Sequence, residues 1–303
     1  MSTQTKRRVL KIGHSPDPDD AFMWYPLANF PNGRGPGGKT YSPTIDTGPF
    51  DFVHVIEDIQ SLNERSEKAE LEITAMSIHQ YPYVAEHYAL TSCGSSMGDG
   101  YGPILVASEP FDLADIKGKR LAIPGSRTSA WLAFQLLLRE HGLRPDDLRT
   151  EYVMFDQIIK GVSGGKFDAG LLIHEGQLTY AGIGLHNIID LGQWWKQTRG
   201  LPLPLGGNAI RRNLADQMGP ICSVLFSSIR HAFEHRDEAV EYALHYARDM
   251  GRELADEFVG MYVNQWTLDY GDIGRKAVRQ LLEEGRDAGL VPDPGRIDFI
   301  EPC

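Results

Sequence analysis

His174 is the residue whose type and setting most directly suit catalysis. It follows a short apolar run, Leu171-Leu172-Ile173, which has Asp168-Ala169-Gly170 before it and Glu175-Gly176-Gln177 after it. Such a run reads as a buried strand whose C-terminal end opens on a loop. Ligands of open α/β sheets bind beyond the carboxyl ends of the strands. A histidine, with an ordinary pKa near ~6.5, gives and takes protons readily at neutral pH. The competing reading is a structural histidine at a strand end, and spacing alone favours it.

Four other groups invite chemical readings. The turn Ser126-Arg127-Thr128-Ser129 leads into an apolar helix from Trp131 to Leu138. It offers hydroxyls, free amides at a helix start and a guanidinium, which together suit an anion; N-capping by Ser126, Thr128 or Ser129 is compatible with that role. Asp17, Asp19 and Asp20 cluster in the first loop. They lack the spacing and glycine of a calcium loop, so capping and loop structure account for them better. His231-Ala232-Phe233-Glu234-His235 matches an inverted zinc-protease pattern. Its charged flanks, Arg230, Arg236, Asp237 and Glu238, instead suggest a solvated helix end. The glycine-rich stretch Cys93 to Pro103 has no P-loop Lys-Ser/Thr and precedes a strand, so it reads as a flexible passage into a second domain.

The elements around these groups alternate. Strands are expected at Val9–Ile12, Phe52–Val55, Leu71–Ala75, Tyr88–Thr91, Ile104–Ala107, Leu121–Ile123, Tyr152–Met154, Leu171–Ile173 and Ile188–Ile189. Helices fall between many of them, which implies a mostly parallel α/β sheet. Ser77 ends the third strand and opens a helix, on the sheet edge that carries His174. After Leu205-Gly206-Gly207-Asn208 the chain reads as mainly helical, with core stripes at Ala239 to Met250 and Ala277 to Ala288. Pro31 to Pro49 is a Gly/Pro-rich surface loop.

Composition bounds the partners. The 303 residues carry 42% apolar side chains and a net charge of −11. No long basic run is present, which argues against nucleic acid and anionic membranes as partners. The apolar stretch Val9 to Ile12 is too short for a signal sequence or a membrane span. Three widely spaced cysteines, Cys93, Cys222 and Cys303, form neither a disulfide framework nor a metal pattern. A cytoplasmic location follows. The oligomeric state stays unassigned.

Several long motifs carry a family resemblance. They are Ser15-Pro16-Asp17-Pro18-Asp19-Asp20-Ala21-Phe22-Met23, Ile73 to His79, Met97 to Pro103, Ile173 to Tyr180, Asp190 to Trp195 and Leu201 to Asn208. Together they make the chain similar to the 1,4-dihydroxy-6-naphthoate synthases of the futalosine route to menaquinone, from about Leu10 to beyond Leu268. The resemblance implies the two-domain, type II periplasmic-binding-protein-like fold, with a larger domain over 1–107 and 205–303 and a smaller inserted one over 108–204. It implies conversion of cyclic dehypoxanthine futalosine, an anionic, carboxylate-bearing small molecule, by base-initiated fragmentation that requires no metal and no cofactor. His174 would be the proton acceptor. Ala75, Met76, Ser77, Thr128 and Ser129 would contact substrate, with Arg127 as a further partner. Glu175 would either orient the imidazole or cap the next helix, and His79, Tyr81 and the first-loop aspartates are unranked candidates for the acid. The loop from Pro31 to Pro49 departs from shorter members. The alternatives are a chorismate dehydratase of the same pathway and a non-catalytic cytosolic solute-binding protein.

Overall fold

The computed structural model describes residues 7–30, 34–247 and 250–303, so part of the Pro31–Pro49 loop and of the Ala239–Met250 stripe lies outside the described residues. The chain forms two sheets, each with its own layer of helices. The strands are β1 (Arg8–His14), β2 (Phe50–Ile56), β3 (Ile73–Ser77), β4 (Tyr88–Thr91), β5 (Ser96–Gly98), β6 (Ile104–Ala107), β7 (Arg120–Ile123), β8 (Arg149–Tyr152), β9 (Ala169–Leu172), β10 (His186–Asp190), β11 (Leu203–Arg211) and β12 (Phe299–Ile300). The larger sheet runs β12-β4-β11-β3-β1-β2, with β5 also pairing β11; the smaller runs β10-β6-β9-β7-β8. The two-sheet α/β architecture is that of the type II periplasmic-binding-protein-like fold.

Strand pairing revises three expectations. The sheets are mixed rather than mostly parallel: β11 lies antiparallel to β3, β4 and β5, and β6 lies antiparallel to β9 and β10. Strand and helix alternation does not report the direction in which the chain re-enters a sheet. Second, β6 belongs to the smaller sheet, so the chain has crossed before Ile104 and not at Ala107; it has returned by Leu203, which pairs with Gly98. Third, the glycine-rich stretch after Cys93 contains β5, and Leu203 to Arg211 is a nine-residue strand at the centre of the larger sheet. Prolines and paired glycines hid β11, because such residues weaken the strand signal. The glycines have a use: a Cβ on Gly207 would stand 2.5 Å from the Tyr270 hydroxyl.

Local chemistry explains the helix starts. Asp58 caps the Ile59–Glu67 helix, accepting from the Gln60 and Ser61 amides at 3.0 and 3.1 Å, an arrangement worth ~1 kcal/mol. Asp190 caps Leu191–Arg199 in the same way. Beside that start, a Cβ on Gly192 would lie 1.8 Å from the Tyr101 carbonyl oxygen, so the Met97–Pro103 and Asp190–Trp195 motifs are complementary surfaces of one packing contact. The apolar stripe from Ala277 to Leu282 is buried in the Gly271–Asp287 helix as expected, whereas the helix carrying Ala239 ends at Ala243, short of Met250. No described helix is long and apolar enough to cross a membrane.

Candidate active site

The C-terminal ends of β3 and β9 face one cleft between the two sheets, of about 720 Å³ with its open mouth included. Ala75, Met76, Ser77, Thr128, Ser129 and His174 all line it, as do Ser15, Asp19, Asp20, Gly94, Ser96, Gln177, Asn208, Phe258 and Tyr262. Six of the seven residues expected at the site therefore converge.

His174 is placed by its backbone. Its φ is +54°, a left-handed conformation costing ~1–2 kcal/mol in a side chain with a Cβ. Such strain concentrates at functional positions. The turn follows β9 at once and is closed by the Gln177 amide donating to the His174 carbonyl. The imidazole packs edge-on against Phe155, with ring centres 4.7 Å apart, and Phe258 approaches from the larger unit. Its Nδ1 stands 3.5 Å from Oδ2 of Asp17, a side chain only 1% exposed. That carboxylate favours the tautomer protonated on Nδ1, which leaves a lone pair on Nε2. Nε2 is buried and has no hydrogen-bond partner within the protein. The carboxylate that faces Nδ1 is thus that of Asp17, on the first loop. Glu175 occupies the cap position of the following helical turn, where its side chain makes no capping bond.

The Thr128–Ser129 start differs from expectation in its available donors. Thr128 accepts from the Trp131 amide and donates to the Gly125 carbonyl. Ser129 Oγ donates to the Leu205 carbonyl at 2.5 Å and accepts from the His79 amide at 3.1 Å. The Thr128 hydroxyl closes its own turn, and that of Ser129 ties the helix start to Leu205 and His79 across the cleft base. What this turn retains for an anion is the first pair of amides of a twelve-residue helix, which helical geometry leaves without partners. Arg127 stands apart from the cleft lining: its guanidinium lies 3.5 Å above the Tyr83 ring and reaches Glu67 at 4.0 Å. On β3, Asn63 receives the Ser77 amide and donates to its hydroxyl, both at 3.0 Å, fixing that strand end.

The acid candidates also separate. His79 is bound to the Thr128 carbonyl, outside the lining, and burial lowers its pKa to about 4. Tyr81 is fully buried and likewise outside the lining. Asp19 and Asp20 do line the cleft. They sit in the first turn of the Pro18–Trp24 helix rather than capping it, and Asp17 occupies the cap position without a side-chain capping bond. Burial raises both carboxyls, Asp19 to about 7, with Asp20 and Asp17 adding to the effect, and Asp20 to about 6. The zinc-like helix finds no site: among the described residues no group of three or more metal-ligating side chains assembles. His231 bonds Thr44 and stacks on His235.

Sequence reading missed Asn208, Gly94, Gln177 and Tyr262. The Tyr262 hydroxyl donates to Gln177 Oε1 at 2.6 Å, joining the two units across the cleft. Asn208 donates to the Gly94 carbonyl, and its Oδ1 is left without a partner. Gln177 and Asn208 lay inside noticed motifs; Tyr262 has no local signal.

The chain is similar to known proteins over nearly its whole length. The menaquinone biosynthesis family matches residues 10–287. A 1,4-dihydroxy-6-naphthoate synthase of Streptomyces coelicolor is 35% identical, covering 95% of this chain and 96% of that one. Its namesake from Thermus thermophilus is 34% identical, covering 96% and 99%. A solved structure from Archaeoglobus fulgidus superposes with a TM-score of 0.80 at 39% identity, covering 93% of this chain and 98% of that one. The periplasmic aliphatic sulphonate binding protein of Escherichia coli shares the fold, with a TM-score of 0.64 at 13% identity over 98% and 93% of the respective chains.

Proposed function

The chain belongs to the menaquinone biosynthesis family, and on that premise we propose that it is a carbon–carbon lyase forming 1,4-dihydroxy-6-naphthoate from cyclic dehypoxanthine futalosine. The observation that carries the proposal is the unpartnered Nε2 of His174, aligned by Asp17 at 3.5 Å in a cleft shared by two units. A solute site needs hydrogen bonds that hold its ligand; a strained histidine backed by a buried carboxylate suits proton abstraction.

In this reading His174 Nε2 removes a substrate proton, and the electron pair drives release of the ribose-derived portion. Formation of an aromatic ring supplies driving force, so no redox partner is called for. The substrate carboxylate rests on the helix start at Ser129 and Ala130, where the amides and the helix dipole favour negative charge. Ala75, Met76 and Ser77 supply the facing wall. The Tyr262–Gln177 bond holds the cleft closed and keeps water from the intermediate. A cytoplasmic location is part of the proposal, supported by three free thiols, of which Cys93 and Cys222 are buried.

The test is incubation of the purified protein with cyclic dehypoxanthine futalosine and no additive, with product followed by absorbance and mass. Dihydroxynaphthoate is expected. Binding without turnover would leave a solute-binding protein, and turnover of chorismate instead would reassign the chain to the dehydratase.

A further inference from the structure

A base that takes a proton leaves the other half of the reaction open, because the electron pair released must come to rest somewhere. In a fragmentation it settles on an oxygen, and a proton delivered there lowers the barrier. The wall facing His174 carries three aspartates in four positions, and their surroundings differ. Asp17 faces the imidazole. Asp20 Oδ2 accepts the Ser15 amide at 2.7 Å, a charge-assisted bond suited to an anion. Asp19 is 8% exposed and lines the cleft. Its Oδ2 meets the Ser96 hydroxyl at 3.4 Å, the neighbouring Asp20 backbone amide also favours its anion, and its Oδ1 is buried with no partner.

We propose that Asp19 is the general acid of this site, handing its carboxyl proton to the substrate oxygen that receives the electron pair released when His174 takes its proton. The inference rests on the lyase reading above.

An unpartnered, buried carboxyl oxygen is costly as an anion and inexpensive as an O–H that awaits a ligand. Three carboxyls in one buried wall cannot all ionise without mutual repulsion, so one with a buried oxygen that lacks a donor keeps its proton. The titratable groups facing Asp19 are Asp17 and Asp20 from its own segment, His174 from the smaller unit and Tyr262 from the Arg252–Tyr262 helix. Of these only His174 favours the anion, and it does so once it has become an imidazolium. The acid is thus strengthened by the step that requires it.

The step balances. A substrate hydrogen leaves to His174 Nε2, the scissile carbon–carbon bond breaks, and its electron pair ends on a substrate oxygen. The Asp19 O–H bond breaks as the new O–H forms on that oxygen. Nothing is oxidised or reduced. The site finishes as imidazolium and carboxylate, and passage of one proton from His174 to Asp19, direct or through water, restores it.

The test compares the wild type with Asp19→Asn, Asp19→Glu and Asp20→Asn, following kcat and KM for cyclic dehypoxanthine futalosine from pH 5 to 9, with melting temperatures as a check on folding. The wild type is expected to lose kcat at alkaline pH as Asp19 ionises. Asp19→Asn, which keeps shape and polarity, is expected to lose ~10²-fold or more in kcat with KM little changed, and to lose that alkaline limb. Asp19→Glu should restore part of the rate, and Asp20→Asn should keep the limb but move it to lower pH, because the Asp20 charge helps to raise Asp19. An active wild type with a folded Asp19→Asn variant of similar kcat and unchanged pH profile would overturn this inference alone. A rise confined to KM would make Asp19 a binding group and overturn it too. An inert wild type would overturn the lyase reading, and this inference with it.

Discussion

Nδ1 of His174 lies 3.5 Å from Oδ2 of Asp17. The two side chains come from different sheets, the histidine from the end of β9 and the aspartate from the loop after β1. The cleft therefore has its base and orienting group in register only when the two units are together.

Removal of the base should separate binding from chemistry. His174→Ala is expected to lose ~10²-fold or more in turnover while still binding substrate, measured by calorimetry beside steady-state rates. Near-normal turnover would remove His174 from the mechanism.

Asp17→Asn should lower kcat at least ~10-fold, yet by less than the ~10⁴-fold seen when a tightly bonded orienting aspartate is lost, because the contact here is long. It should also lower the pKa of Asp19, since the Asp17 charge is one of the causes that raise it. The alkaline limb of the rate profile would move to lower pH.

Tyr262→Phe removes the bond to Gln177 across the cleft. A buried acceptor left without its donor costs about 1–3 kcal/mol, charged here against the closed form. KM is expected to rise roughly tenfold for each ~1.4 kcal/mol, with small-angle scattering showing a larger radius of gyration with substrate bound. An unchanged KM would show that this bond does not hold the cleft closed.

Stability should vary with pH through Asp19. Its folded pKa, about 7, lies above the ordinary carboxylate value, so the folded chain holds an extra proton between about pH 4 and about pH 7 and stability falls as pH rises through that window. Asp19→Asn carries no such proton. Its gain in Tm over the wild type should grow from about pH 4 to about pH 7 and then level off. A constant difference across that range would show that Asp19 does not titrate there.

Chelation should do nothing. The described residues assemble no group of three metal-ligating side chains, so dialysis against a chelator is expected to leave turnover intact. Loss that added zinc restores would send attention back to His231 and His235.

Much of the frame was legible locally. Apolar runs bounded by turn residues located β4 and β6 to the residue and placed β9 within one or two. The hydroxyls of Ser126 to Ser129 marked the helix start at Thr128. β11 was not legible, since its Pro-Leu-Gly-Gly core resembles a turn until a neighbouring strand supplies the hydrogen bonds. Arg127 looked like an anion partner because it adjoins Thr128 in sequence; its long side chain found the Tyr83 ring instead.

The sequence by itself determined the α/β character, the strand that delivers His174, the helix start opposite it and the family. These depend on near neighbours, whose periodicity and turn chemistry act over a few residues. Only the tertiary structure decided which carboxylate faces the imidazole, that Gln177 meets Tyr262, and that Asp19 keeps a buried oxygen without a partner. Those relations join segments far apart in the chain. They follow from the order and direction of strands in two sheets, and from burial that removes water from some carboxyls and supplies donors to others.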